Sequence, residues 1–157
     1  KYWMAPGAPP SESTGVMTST LEYGGRLLRG RYKGEMMGMP FDGESQMGYD
    51  NAAAKYWGTW TDSMTTGLQV SGGTCSEDGK LFTMWSSFTD PMTGQPKKQK
   101  HEIRIVDHSR HVFEAWDVAE DGSLTRVMEI TYTRMPPGAD HKKPDASDTA
   151  APGAAGH

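Results

Sequence analysis

Cysteine is almost missing from this chain: among 157 residues there is one, Cys75. No internal disulfide can form, so the fold has to rest on packing. Also missing is an apolar run of about 18 residues, the length needed to cross a bilayer as a helix. The charged, then apolar, then small-residue order of a secretory leader is not found at the start. A dense basic stripe is lacking too. The formal net charge is -4, and Lys97, Lys98 and Lys100 form the only basic cluster, which excludes the concentrated positive face that nucleic-acid phosphates require. No nucleophile elbow, phosphate loop or paired metal motif interrupts the chain. What remains is a soluble domain, cytoplasmic or periplasmic, long enough to bury well over half of its unfolded surface.

What the chain does have is period-two alternation. Between Gly34 and Asp62, Phe41, Gly43, Ser45, Met47 and Tyr49 alternate with Asp42, Glu44, Gln46 and Gly48. Beyond a Gly-Tyr-Asp-Asn turn, Tyr56, Gly58 and Trp60 alternate with Lys55, Trp57 and Thr59. That pattern belongs to strands with two different faces. It recurs over 14–23, 26–36, 41–49, 55–62, 68–75, 80–89, 97–106, 111–118 and 126–134. The connections are short and rich in Gly, Asp, Asn and Ser, the residues that tolerate turn geometry.

Short turns make sequential neighbours pair antiparallel, and a long meander leaves two exposed edges unless it closes. The expected architecture is all-β, a single antiparallel up-and-down barrel over residues 1–135, with a two-sheet sandwich as the alternative. Lys1 to Met4 reads as the end of a further strand. In 26–36, Leu27, Arg29, Arg31, Lys33 and Glu35 form a mainly charged face, while Leu28, Gly30, Tyr32, Gly34 and Met36 form the face for an interior. Residues 136–157 are rich in Pro, Ala, Gly and Asp and carry no apolar pattern, so a disordered tail is expected there.

The stretches GEMMGMPFDG, GYDN, KYWGTWTDSMTTG, DPMTG and VMEITYTR, in that order, resemble a family of bacterial proteins known as domain of unknown function 1579. The resemblance implies a single β-rich domain, a calycin-like barrel akin to lipocalins and fatty-acid-binding proteins; relative to that family, the chain is expected to lack an opening strand before Lys1. It brings no substrate, cofactor or catalytic residue.

Aromatic and methionine side chains within the strands offer walls for an interior pocket. The first functional expectation is a module that binds a small lipophilic ligand through Tyr32, Tyr49, Trp57, Trp60 and Trp116, with Glu102, Arg104 and Glu114 as polar contacts. A different class is an isomerase or hydrolase that uses Glu102, Glu114 or Glu129 inside the cavity. The third is a filled barrel that self-associates into a homo-oligomer through exposed aromatics.

Metal and cofactor chemistry has thinner support. Met36, Met37 and Met39 offer thioethers to Cu(I), but alternation turns Met36 and Met37 to opposite faces. Asp107, His108 and His111 have zinc-ligand chemistry without a zinc spacing. By analogy with haem-binding nitrobindin-type barrels, which this fold resembles, His101 is the strand histidine to consider for haem. No metal site and no named cofactor is assigned, and Cys75 reads as a partly buried thiol without a histidine partner.

Overall fold

A computed structural model describes residues 1–136; the expected tail from residue 137 onward lies outside the described residues. Nine strands follow one another: β1 (Gly15–Glu22), β2 (Leu27–Met36), β3 (Met39–Asp50), β4 (Lys55–Asp62), β5 (Gln69–Cys75), β6 (Leu81–Thr89), β7 (Pro96–Asp107), β8 (Arg110–Val118) and β9 (Leu124–Thr133). They form one sheet in sequence order, and every adjacent pair is antiparallel. Among the described residues there is no helix, and hence none long and apolar enough to cross a membrane.

The turns explain the meander. Six of the eight carry an aspartate, at the start of the turn or within it, whose carboxylate accepts backbone N–H groups two or three residues on: Asp50 from Ala52 and Ala53, Asp62 from Met64 and Thr65, Asp78 from Lys80, Asp90 from Met92 and Thr93, Asp107 from Ser109, and Asp121 from Ser123. This side-chain mimicry of a backbone turn is what Asp supplies at such positions. The remaining two use positive backbone φ, at Tyr23, Gly24 and Gly25 and at Met37 and Gly38. The two-residue Met37-Gly38 turn has the mirror-image twist that suits a tight hairpin, so pairing runs up to Met36 and Met39. β3 therefore starts two residues earlier than alternation alone suggests.

The sheet curls into a half-barrel. Tyr32 on β2 and Tyr132 on β9 lie seven strands apart along the ladder. Yet the Tyr132 phenol is pushed up to about 12 by burial and also by the nearby Tyr32. β1 and β9 are the two edges and do not pair with each other. Between them runs the N-terminal segment. The Lys1 backbone nitrogen donates to the Glu129 carbonyl at 2.8 Å, the Glu129 N–H donates to the Lys1 carbonyl at 2.9 Å, and the Trp3 N–H donates to the Val127 carbonyl at 3.0 Å. On its other side Tyr2 exchanges two backbone hydrogen bonds with Ser11. Lys1 to Trp3 is thus held on both flanks, by β9 and by the residues leading into β1.

The concave face carries Tyr32, Phe41, Trp60, Tyr56, Phe82, Met84, His101, Phe113, Ala115 and Tyr132. This follows from the register Tyr49↔Tyr56↔Gly73↔Met84↔His101↔Ala115↔Met128 and its neighbouring rows. Small residues leave room for the rings: Gly43 lies under the Trp60 ring and Gly34 under the Tyr32 hydroxyl. The core is thin. Phe41, Met84 and Ala115 are its buried apolar residues on this face, Leu27 is buried on the convex face, and among the described residues no large side chain is fully enclosed.

Candidate functional site on the concave face

Antiparallel register brings a polar row across the concave face at the end where the β4–β5, β6–β7 and β8–β9 turns lie. Ser71, Ser86, Gln99, Asp117 and Thr125 follow one another directly from β5 to β9. Gln69, next to Ser71 on the same face of β5, donates from Nε2 to Ser86 Oγ at 2.9 Å and to Gln99 Oε1 at 3.2 Å. Gln99 Nε2 donates to Asp117 Oδ1 at 2.8 Å. Lys97 Nζ then joins Asp117 at 2.8 Å and Asp90 at 3.3 Å. Burial pulls the Lys97 ammonium down, but the hydrogen bonds and charges of Asp117 and Asp90 outweigh it, so its pKa is raised. Asp90 is lowered, chiefly by the N–H of Met92.

His101 stands one step deeper, with Nε2 3.1 Å from Gln99 Oε1 and Phe113 5.6 Å from its ring. Burial lowers its pKa to about 4, so the imidazole is neutral at pH 7. No buried polar side-chain atom among the described residues lacks a hydrogen-bond partner. The row is a satisfied network and not a set of stranded groups.

Over the outer end of this row the N-terminal segment leaves a cleft of about 330 Å³, lined by Trp3, Met4, Pro6, Lys97, Gln99 and Asp117 together with residues of β9. Arg126, on its rim, lies 4.6 Å over the Trp3 ring and is shared by Glu114 at 3.1 Å and Glu129 at 2.9 Å.

The sequence-derived site residues divide between the two faces. Tyr32, Tyr49 and Trp60 stand on the concave face: Tyr32 meets Phe41 edge-on, Phe41 stacks near Trp60, Tyr49 meets Tyr56, and Trp60 Nε1 donates to Asp62 at 2.9 Å. Trp57, Trp116, Glu102, Arg104 and Glu114 stand on the convex face. There Trp57, Gly72, Trp85, Lys100 and Trp116 are consecutive cross-strand partners, and Lys100 lies 5.3 Å over the Trp116 ring. Glu102, Glu114 and Glu129 are also consecutive partners. Their mutual repulsion is offset by Lys100 and Arg104 on Glu102 and by Arg126 on the other two. Such cross-strand ion pairs stabilise a sheet modestly.

Among the described residues no three His, Cys, Asp or Glu side chains come together as a metal site. The Asp107 carboxylate is taken by Ser109, and His111 stacks on Tyr132 at 4.6 Å. His101 does not offer a haem seat. Its outer nitrogen is committed to Gln99, Phe113 lies against the ring, and the cleft opens onto Lys97, Gln99 and Asp117.

Fold and site together define an all-β protein whose single curled sheet has an aromatic concave face and a polar row at one end. The chain belongs to the family described as Protein of unknown function (DUF1579), whose model matches residues 1–134. No curated protein matches the chain.

Proposed function

We propose that this protein is a binding module that holds a small lipophilic or amphipathic ligand against the concave face of a calycin-like sheet. The observation that carries this reading is how little covers the concave face: among the described residues three apolar side chains are buried there, and no large side chain is fully enclosed. A closed barrel of this size would fill its own interior with side chains or hold one small ligand. Here aromatic rings line the surface without closing it, and Tyr49, which meets Tyr56, remains half exposed. Tyr32, Tyr49 and Trp60 supply the apolar contacts, with Phe41, Tyr56 and Phe82 beside them. The Gln69-Gln99-Asp117-Lys97 row supplies a polar end. A ligand pocket with apolar walls and a few convergent polar groups has this composition.

The enzyme reading has less support, because Glu102, Glu114 and Glu129 stand on the convex face in ion pairs and away from the hollow. Native mass spectrometry of the purified protein, compared with its denatured mass, tests the proposal. A reproducible extra mass lost on denaturation is the expected result. Bare protein in every preparation, with no uptake of added amphiphiles, would reject it in favour of a self-associating structural module.

A further inference from the structure

From the charges around the mouth cleft we infer that the bound molecule presents a non-anionic head that donates hydrogen bonds, an amine or an alcohol, to Asp117. This rests on the concave-face binding reading above and names the chemistry of its polar end. The cleft is lined by one ammonium, Lys97, and that cation is already held between Asp117 at 2.8 Å and Asp90 at 3.3 Å. The guanidinium on the rim, Arg126, is likewise divided between Glu114 and Glu129. Each of these two cations is therefore already paired with two carboxylates, and a carboxylate or phosphate head would find no uncompensated positive charge among the residues that line the cleft. It would also have to be desolvated beside Asp117, which like-charge repulsion opposes.

Acceptor capacity, by contrast, is in surplus. An ionised carboxylate has about four lone-pair sites, and Asp117 uses one oxygen for Gln99 and the other for Lys97. A hydroxyl or ammonium at the cleft has lone pairs to meet, and Trp3, Met4, Pro6 and Val127 give the cleft an apolar edge, from which the tail runs on to the concave face. The oriented Gln99 amide holds the carboxylate in place from behind.

Three eight-carbon probes separate the possibilities: 1-octanol, octylamine and octanoate, titrated at pH 7 while the backbone signal of Asp117 and the side-chain amide signal of Gln99 are followed by NMR. Octanol and octylamine are expected to shift both signals and to bind about tenfold or more tightly than octanoate, a typical penalty for an unpaired group in a recognition site. The Asp117→Asn protein keeps an oxygen for Gln99 and should lose most of that discrimination, its fold being checked by its melting curve. Octanoate binding as well as octanol, or a discrimination unchanged in Asp117→Asn, overturns the inference while leaving a binding module intact. If none of the three probes binds, the concave-face reading falls with it.

Discussion

Gln99 donates a hydrogen bond from its side-chain amide to Asp117, 2.8 Å away, and that single bond fixes the state of a third residue. A carboxylate only accepts, so the Gln99 NH₂ must point to Asp117 and its oxygen must point to His101 and Gln69. His101 Nε2, 3.1 Å from that oxygen, must then carry the proton. In ¹⁵N-detected NMR the His101 ring should appear as the neutral Nε2–H tautomer from pH 8 down to pH 5. An Nδ1–H pattern, or a midpoint near 6.5, would contradict the assignment of the row.

The same burial makes stability depend on pH. His101 is held at about 4 in the folded protein, against about 6.5 when unfolded. The unfolded chain therefore binds more protons between these values. The contribution is fully present above pH 6.5 and is lost as pH falls toward 4, by roughly 2–3 kcal/mol at pH 4.5. His111 is lowered by burial as well, but it acts equally in a His101→Phe protein. Urea unfolding at pH 7.5 and 4.5 should show the wild type losing more stability than His101→Phe by about that amount. Equal losses would place the imidazole in water.

Two adjacent glycines should respond differently to alanine. A Cβ on Gly73 would collide with the Thr83 carbonyl and the Met84 backbone, whereas one on Gly72 would meet only the Tyr56 carbonyl at 3.8 Å. Backbone cannot step aside as a side chain can. Gly73→Ala is expected to cost about 1–3 kcal/mol or more, and Gly72→Ala much less. Denaturant midpoints for the two variants decide it, and similar values would mean that β5 and β6 are not so closely apposed.

Substitutions on the two faces should separate binding from framework. Trp60→Ala or Tyr49→Ala is expected to lower the fraction of protein carrying its bound mass about tenfold, since each removes a ring from the hollow. Glu114→Gln on the convex face should leave that fraction within about twofold and change stability by less than ~1 kcal/mol. Native mass spectra of the three variants provide the comparison. A larger loss for Glu114→Gln than for Trp60→Ala would move the site to the convex face.

Most of the fold is legible in the residues. All nine strands announce themselves by alternation, because each has one wet and one shielded face, and the aspartates and glycines of the turns mark where each must end. The faces are legible too: Trp57 alternates with Tyr56 and Trp60, so its convex position is written beside theirs. The polar row is harder to see. Gln69, Ser86, Gln99 and Asp117 are ordinary strand residues taken singly, and only cross-strand register assembles them. That register includes a bulge at Ala115/Trp116 on the β8–β9 pair. The available signal is a glutamine two residues before His101 on the shielded face of β7, where an apolar residue would be the ordinary choice. That the sheet curls is expected of a long meander with short turns, but how far it curls is not legible, since Tyr32 and Tyr132 approach only through the accumulated bend of the strands between them.

The segment from Lys1 to Trp3 makes the longest-range contact of this sheet with β9. Every strand pairs with its neighbour in sequence, so the ladder can zip up through local hairpins at small entropic cost. Lys1 meeting Glu129 joins residues 128 positions apart, and it is held by a few backbone hydrogen bonds and the stacking of Arg126 on Trp3. That junction should be the last to form and the first to open. The same residues border the cleft at the polar end of the concave face, so the contact expected to close last is also the cover over the end where the proposed ligand would enter.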